Sequence, residues 1–226
     1  MQGAGAGSTR RAREARLGLA ALGALGAAAL VTGVAAGGAE QASVTLFARP
    51  TTISWAKPFE LFGAASGARA GDIVRIEQKE CGVPTFQTLV ETHANAGGGW
   101  SISTGLVITS TFRAVFRDRR SAEVTVRQRP NVVLERERAG RGFVITVTAR
   151  KSFWRKTVLV QRRASGRWQT VRRVRLNDSL KLSGVLSGSQ ATFALAVPRG
   201  TLLRAVVPPD QARPCYVSGP SRVVRT

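Results

Sequence analysis

The sequence predicts an all-β protein in which two tandem antiparallel β-sandwiches follow an N-terminal signal or anchor helix. From position 43 onward, apolar residues recur with a period near two, as in half-buried strands. β-Branched residues fill these runs, and Gly, Pro and Asn separate them. The pattern of the first half also returns in the second, and 226 residues suffice for two small domains. One larger sandwich is the competing architecture.

Residues 1–39 have the character of an export segment. Four arginines between positions 10 and 16 form a positive region, and residues 17–36 are an uncharged stretch rich in Ala, Gly and Leu. Small residues then suit cleavage after Ala36 or Ala39. The alternative is an uncleaved membrane anchor, because the stretch is about long enough to cross a bilayer. Both interpretations predict a secreted or extracytoplasmic protein, and the second predicts one that is anchored.

Seven strands are predicted in each half. In the first half, residues 43–129, they lie at 43–48, 59–64, 72–79, 86–92, 100–103, 111–116 and 122–127. In the second half, residues 130–226, they lie at 132–137, 143–148, 157–162, 168–174, 191–196, 202–207 and 221–225. The boundary falls at Pro130, which cannot donate to a strand ladder and therefore suits a domain junction.

The two halves align with each other strand by strand. Residues 72–79 correspond to 156–163, and 111–116 correspond to 202–207. Phe86 begins an aromatic-Gln-Thr-aliphatic run, and Trp168 begins the matching run of the second half. Seven short strands at such spacing are typical of an immunoglobulin or fibronectin type III sandwich.

Short motifs connect these strands to a known class of repeats. The first half contains Glu77-Gln78-Lys79, Phe86-Gln87-Thr88-Leu89, Gly99-Trp100 and Thr111-Phe112-Arg113-Ala114. The second contains Gln161-Arg162-Arg163, Gly166-Arg167-Trp168 and Leu203-Arg204-Ala205-Val206, and lacks the later Gly-Trp pair. With these motifs the chain resembles secreted bacterial proteins with tandem Ig-like (fibronectin-III-like) repeats. The resemblance implies a spacer, an adhesive module or a binding accessory, and it transfers no functional residue.

Cys81 and Cys215 are the two cysteines of the chain. In an exported protein such a pair favours a disulfide. In Ig-type sandwiches, the loop that holds Cys81 in the first half and the loop that holds Cys215 in the second lie at ends that face each other across a short linker. The sequence therefore predicts a Cys81–Cys215 disulfide that clamps the two modules together. Unpaired or intermolecular thiols are the alternative.

The net charge of +21 is concentrated in the second half, where nineteen Lys and Arg residues face four Asp and Glu residues. Such a field attracts polyanions, although a general compositional preference for Arg is the simpler explanation. Trp168 is expected to fill the core, and the basic residues around it are expected to lie on two successive strands. Antiparallel pairing would bring several of them to one exposed anion-binding face: Arg162, Arg163, Arg167, Arg172, Arg173 and Arg175.

Nothing in the sequence predicts catalysis. The single histidine, His93, lies in a polar turn, and no Gly-x-Ser-x-Gly nucleophile motif accompanies it. One histidine and two separated cysteines do not make a metal site, and no cofactor is expected. We predict a non-catalytic exported structural or binding module whose partner is an anionic envelope polymer or another polyanion. Specific nucleic-acid recognition is not expected, and membrane contact is expected only through an uncleaved N-terminal segment. An inert spacer and an extracellular hydrolase are the alternatives.

Overall fold

Nearly all of the described chain is β-structure, as seen in a computed structural model that describes residues 43–137, 142–182 and 184–226. The signal or anchor predicted for residues 1–39 lies outside these described residues. Within the described ranges, no helix is long and apolar enough to span a lipid bilayer. Residues from 43 onward belong to one compact unit.

Residues 43–129, all of them described, form nine strands in two sheets. The strands are β1 (Phe47–Arg49), β2 (Thr52–Ile53), β3 (Phe59–Ala64), β4 (Ile73–Glu80), β5 (Gln87–His93), β6 (Gly99–Thr104), β7 (Ser110–Phe116), β8 (Arg119–Arg120) and β9 (Val124–Gln128). One sheet has the order β1-β3-β6, and the other has the order β2-β9-β7-β4-β5 with β8 beside β7. Neighbouring strands are antiparallel, except that β2 runs parallel to β9.

The two sheets of the first half pack face to face. Phe59 and Leu61 of β3 are buried against Phe112 of β7, and the rings of Phe59 and Phe112 lie 5.6 Å apart. Val74 and Ile76 of β4 add a fully buried pair two residues apart. Alternate residues of each strand therefore supply one core between the sheets.

The second half builds a similar pair of sheets. Its described elements are β10 (Asn131–Arg136), β11 (Gly142–Ala149), β12 (Thr157–Ala164), β13 (Arg167–Arg175), β14 (Asp178–Lys181), β15 (Ser187–Ala194), β16 (Leu202–Val207), α1 (Pro209–Ala212), β17 (Gly219–Pro220) and β18 (Val224–Arg225). The sheets have the orders β10-β11-β15-β14 and β13-β12-β16-β17, and β18 also pairs with β16. The described strands of the second half join no sheet of the first.

Strict alternation gives the second half its core. In β11 every second residue, from Phe143 to Ala149, is buried, and the intervening residues are half-buried. Val158 and Val160 of β12 are fully buried in the same cluster. Ile108 of the first half also belongs to this cluster, so the second core reaches into the junction.

The strand prediction is confirmed for most elements and wrong for several short ones. Strands β2, β8, β14 and β17 and helix α1 were not predicted, and the predicted strand 221–225 is shortened to β18 at Val224–Arg225. The first predicted strand, 43–48, is replaced by β1 at Phe47–Arg49. The predicted strand 191–196 begins four residues earlier, as β15, because Gly188 and Ser189 are buried in the sheet despite their low β-propensity.

The repeat found in the sequence is also present in the pairing register. In the first half, a bulge between Ile76 and Glu77 interrupts the pairing of β4 with β5. In the second, a bulge between Val160 and Gln161 interrupts the pairing of β12 with β13. These positions are equivalent in the sequence alignment of the halves.

A disulfide joins Cys81 to Cys215, with the two Cα atoms 5.4 Å apart, and confirms the predicted pair. Cys81 directly follows β4, and Cys215 follows α1. The backbone continues the connection, because Cys81 N–H donates to Thr109 O and Thr109 N–H donates to Cys215 O. The second of these hydrogen bonds crosses between the halves beside the disulfide.

Tyr216, next to the disulfide, binds backbone from both halves with one hydroxyl group. Its Oη accepts hydrogen bonds from the N–H groups of Arg150 and Lys151 at 3.0 and 3.2 Å, and it donates to Val107 O at 3.2 Å. The ring is 4% exposed and packs 5.5 Å from the ring of Phe153. Burial raises the pKa of Tyr216, against smaller opposing effects of these hydrogen bonds.

Candidate anion-binding face

The predicted arginines lie on the β12–β13 hairpin and divide between its two sides. Val158 and Val160 point into the core, so the residues that alternate with them on β12 point outward. Cross-strand partners share a side, which places Arg163, Arg173 and Arg175 on the outer face of the sheet. All three are exposed.

The other predicted arginines, Arg162, Arg167 and Arg172, occupy the opposite side. Arg172 pairs with Val160, and its guanidinium donates to Ala194 O of the facing sheet. The same guanidinium lies 5.6 Å from the centre of the Phe193 ring. Arg172 therefore covers the edge of the core, while Arg162 and Arg167 are exposed near the hairpin turn.

Trp168 lies on the outer face, so its predicted core role is wrong. It is half-buried, and it pairs with Arg163 across the hairpin. Successive residues of a strand point to opposite faces, so the pairing of Trp168 with the outward-pointing Arg163 places Trp168 on the outer face. The inner face carries buried residues such as Val158 and Val174. The Arg204 guanidinium of β16 lies 4.2 Å from the centre of the Trp168 ring. Trp168 thus supplies an aromatic surface beneath a cation.

Arg204 and Gln161 are the functional candidates that the sequence analysis missed. Arg204 Nε donates to Gln161 Oε1 at 2.9 Å, which holds the guanidinium over Trp168. Burial lowers the pKa of the Arg204 guanidinium. A signal for this arrangement was present, since Arg204 aligns with Arg113 and Gln161 with Glu77 in the repeat.

The first half has the same arrangement with a different charge. Arg113 lies 4.0 Å from the centre of the Phe86 ring, and its Nε donates to Glu77 Oε2 at 2.6 Å. Lys79 approaches the same ring at 4.5 Å. Burial raises the pKa of Glu77, but the hydrogen bond and charge of Arg113, with a smaller effect of Arg75, leave the pKa below its usual value. Here a carboxylate compensates the guanidinium.

On the outer face of the second half, no described carboxylate forms an ion pair with the guanidinium groups. Across the described residues, every ion pair takes its carboxylate from the first half, and none involves the six predicted arginines or Arg204. The charge of Arg173 does act on Asp210. The pKa of Asp210 is lowered first by a hydrogen bond from Gln211 and to a lesser extent by this charge. We name the residues Arg163, Trp168, Arg173, Arg175 and Arg204 the outer basic face.

The sequence suggested that His93 lies in a turn, but it is the last residue of strand β5. Its Nδ1 lies 3.0 Å from Gly71 O, in the turn that precedes β4. In the part of the chain that the structure describes, no three His, Cys, Asp or Glu side chains cluster as metal ligands. The absence of catalysis stays a prediction.

Comparison of the chain with family models and with curated proteins finds no match. The geometry and charge of the described residues are therefore the features that bear on function. Of these, the outer basic face combines the features that most directly imply a class of partner.

Proposed function

We propose that the protein is an exported, non-catalytic binding protein composed of two tandem Ig-like sandwiches, residues 43–129 and 130–226, whose second half contacts anionic polymers of the cell envelope. The strand orders support the Ig-like assignment, because β10-β11-β15-β14 opposite β13-β12-β16-β17 matches the two-sheet arrangement of that fold. The disulfide supports an oxidising, extracytoplasmic location.

The single observation that carries the binding proposal is the row of guanidinium groups on the outer basic face that form no ion pair with a described carboxylate. Arg173 and Arg175 are two residues apart on one strand, a spacing of about 7 Å, and Arg163 follows farther along the same face. Each guanidinium can form paired hydrogen bonds with a carboxylate, sulfate or phosphate. Like charges this close repel one another, and a repeating polyanion would relieve that repulsion.

Binding of the full exported chain to dextran sulfate and to neutral dextran, measured by calorimetry at several salt concentrations, tests this proposal. We expect dextran sulfate alone to bind, with an affinity that falls steeply as salt rises. Replacing Arg163, Arg173 and Arg175 together by Gln should lower the slope of log affinity against log salt by roughly one for each arginine that contacts an anionic group.

The matched control replaces Arg69, Arg120 and Arg127, three exposed arginines of the first half without ion pairs, by Gln. This variant loses the same formal charge, but it loses that charge outside the outer basic face. We therefore expect it to keep most of its affinity for dextran sulfate. Equal losses in the two variants would mean that net charge, and not this face, attracts the polymer. No binding even at low salt would leave the protein without the proposed activity.

A spacer is the second candidate, and the junction supports it. The disulfide, the Tyr216 hydroxyl and the backbone hydrogen bonds of Thr109 connect the halves by both covalent and polar contacts. A connection of this kind resists bending, which suits a structural element between other parts of an envelope assembly. In the calorimetric experiment described above, a spacer would bind neither dextran sulfate nor neutral dextran at any salt concentration.

A further inference from the structure

A cavity of about 680 Å³ lies where the two halves meet, away from the outer basic face. Its walls come from residues 54–57 after β2, from residues 129–132 at the β9–β10 connection and the start of β10, and from residues 218 and 220–222 around β17. This volume falls within the usual range for small-molecule sites. The proposed function does not use the cavity.

The charged side chains that line the cavity are all cationic: Lys57, Arg129 and Arg222. No carboxylate lines it, and none forms an ion pair with these three residues within the described ranges. Three cations around one concave space create a focused positive potential. An anionic group would therefore be attracted to this cavity.

Hydrogen bonds hold the guanidinium of Arg129 and fix the backbone that carries Arg222. Arg129 Nε donates to Ser218 O at 3.2 Å, across the junction. The buried Ser221 hydroxyl accepts the N–H of Ala205 and donates to the carbonyl oxygen of Arg222 at 2.7 Å. The backbone under Arg222 is thus fixed before a ligand arrives, which reduces the entropic cost of binding.

The aromatic ring of Trp55 lines the same cavity as these cations. Trp55 is half-buried and lines the cavity, in a turn that Lys57 N–H closes by donating to Ser54 O at 3.1 Å. Ala56, which follows Trp55, has a φ of 57°, in the left-handed region that is unfavourable for a residue with a Cβ. Strain of this kind is tolerated where the surrounding structure holds it, often at ligand sites.

We propose that this cavity binds one saccharide unit that carries a carboxylate or phosphate group. The Trp55 ring packs against the C–H face of the sugar, and the cations bind the acid group. Ser54 and Asn131 also line the cavity and offer a hydroxyl and an amide for the sugar hydroxyls. A nucleobase also stacks on a single aromatic ring, so the test below includes a nucleotide. The inference rests on the proposed function only for the exported setting in which such sugars occur.

Calorimetric titration of the full exported chain at physiological salt tests the site with four probes. Trigalacturonate presents carboxylates, mannose 6-phosphate presents a phosphate, galactotriose is neutral and ATP is a nucleotide. We expect one equivalent of at least one anionic sugar to bind, and no binding of galactotriose. Trp55→Ala and Arg222→Gln should each weaken that binding tenfold or more, and Trp55→Phe should restore most of the loss caused by Trp55→Ala.

Two controls separate this site from other effects. Trp154→Ala removes an exposed tryptophan that does not line the cavity, so it should leave sugar binding unchanged. The triple Gln variant of Arg163, Arg173 and Arg175 should also bind the sugar normally, even if it no longer binds dextran sulfate. Failure of both anionic sugars to bind, unchanged binding by Trp55→Ala, or tighter binding of ATP than of either sugar would overturn the proposal.

Discussion

Tyr216→Phe tests how much the junction between the halves contributes to stability. The variant keeps the buried ring against Phe153 and removes only the hydroxyl. The N–H groups of Arg150 and Lys151 lose their acceptor, and Val107 O loses its donor. A buried polar group without a partner costs about 1–3 kcal/mol, and some of these groups will reach water. We therefore expect the free energy of unfolding to fall by about 2–4 kcal/mol.

The pH dependence of the same variant supplies an independent reading. Because burial raises the folded-state pKa of Tyr216, the folded protein retains a proton that the unfolded chain releases near pH 10. The stabilising contribution of the protonated hydroxyl is complete below that pH and is lost as pH rises further. Wild type should therefore lose more stability above pH 10 than Tyr216→Phe, in which this group is absent.

Urea unfolding of both proteins between pH 7 and pH 11 measures the free energies. Tyr216 is the one tyrosine of the chain, so the ultraviolet absorbance of tyrosinate reports its ionisation directly in the native protein. A tyrosinate transition at the ordinary pKa, together with equal stability of wild type and variant, would show that the hydroxyl does not hold the junction as described.

Two further substitutions probe the covalent and ionic contacts. Replacing Cys81 and Cys215 together by Ala opens a loop of 134 residues. For cooperative unfolding, chain entropy predicts that the free energy of unfolding in urea falls by up to about 5 kcal/mol. An unchanged free energy of unfolding would refute a clamping role. Because the folded-state pKa of Glu77 is lowered, its contribution is present above the unfolded value of about 4.5 and disappears as pH falls. Glu77→Gln should thus have a lower free energy of unfolding than wild type at pH 7, and the difference between the two proteins should shrink by pH 3. A difference that does not change with pH would contradict the pairing of Glu77 with Arg113.

Regular alternation made most of the fold predictable. In β11 and β16, every second side chain is buried, and a period of two is readable without knowledge of the partners. Strands β2 and β8 contain two residues each; β2 pairs with the free edge of β9, and β8 pairs with the end of β7 that β9 leaves unpaired, which no local pattern indicates. Strand β14 is exposed at every residue, so burial leaves no period in its sequence.

The disulfide could be predicted because topology determines where loops end, whereas the outer basic face was predicted only in part. The aromatic character of Trp168 suggested burial, but its parity on β13 places it outside, where Arg204 covers it. Arg204 lies on another strand, and only the pairing of β12 with β16 brings it to the ring. Contacts between distant strands carry no local sequence signal, although the alignment with Arg113 contained the answer.

The matched positions Glu77 and Gln161 suggest how twin scaffolds acquire separate tasks. Both accept a hydrogen bond from an arginine that caps an aromatic ring, so exchanging acid for amide preserves the shape of the cradle. The exchange removes the negative partner, however, and leaves the Arg204 guanidinium without an ion pair, as the proposed anion binding requires. Replacement of one side-chain oxygen by an amide nitrogen therefore changes the net charge of this arginine–aromatic arrangement. The hydrogen bond and the framework that both halves share are kept.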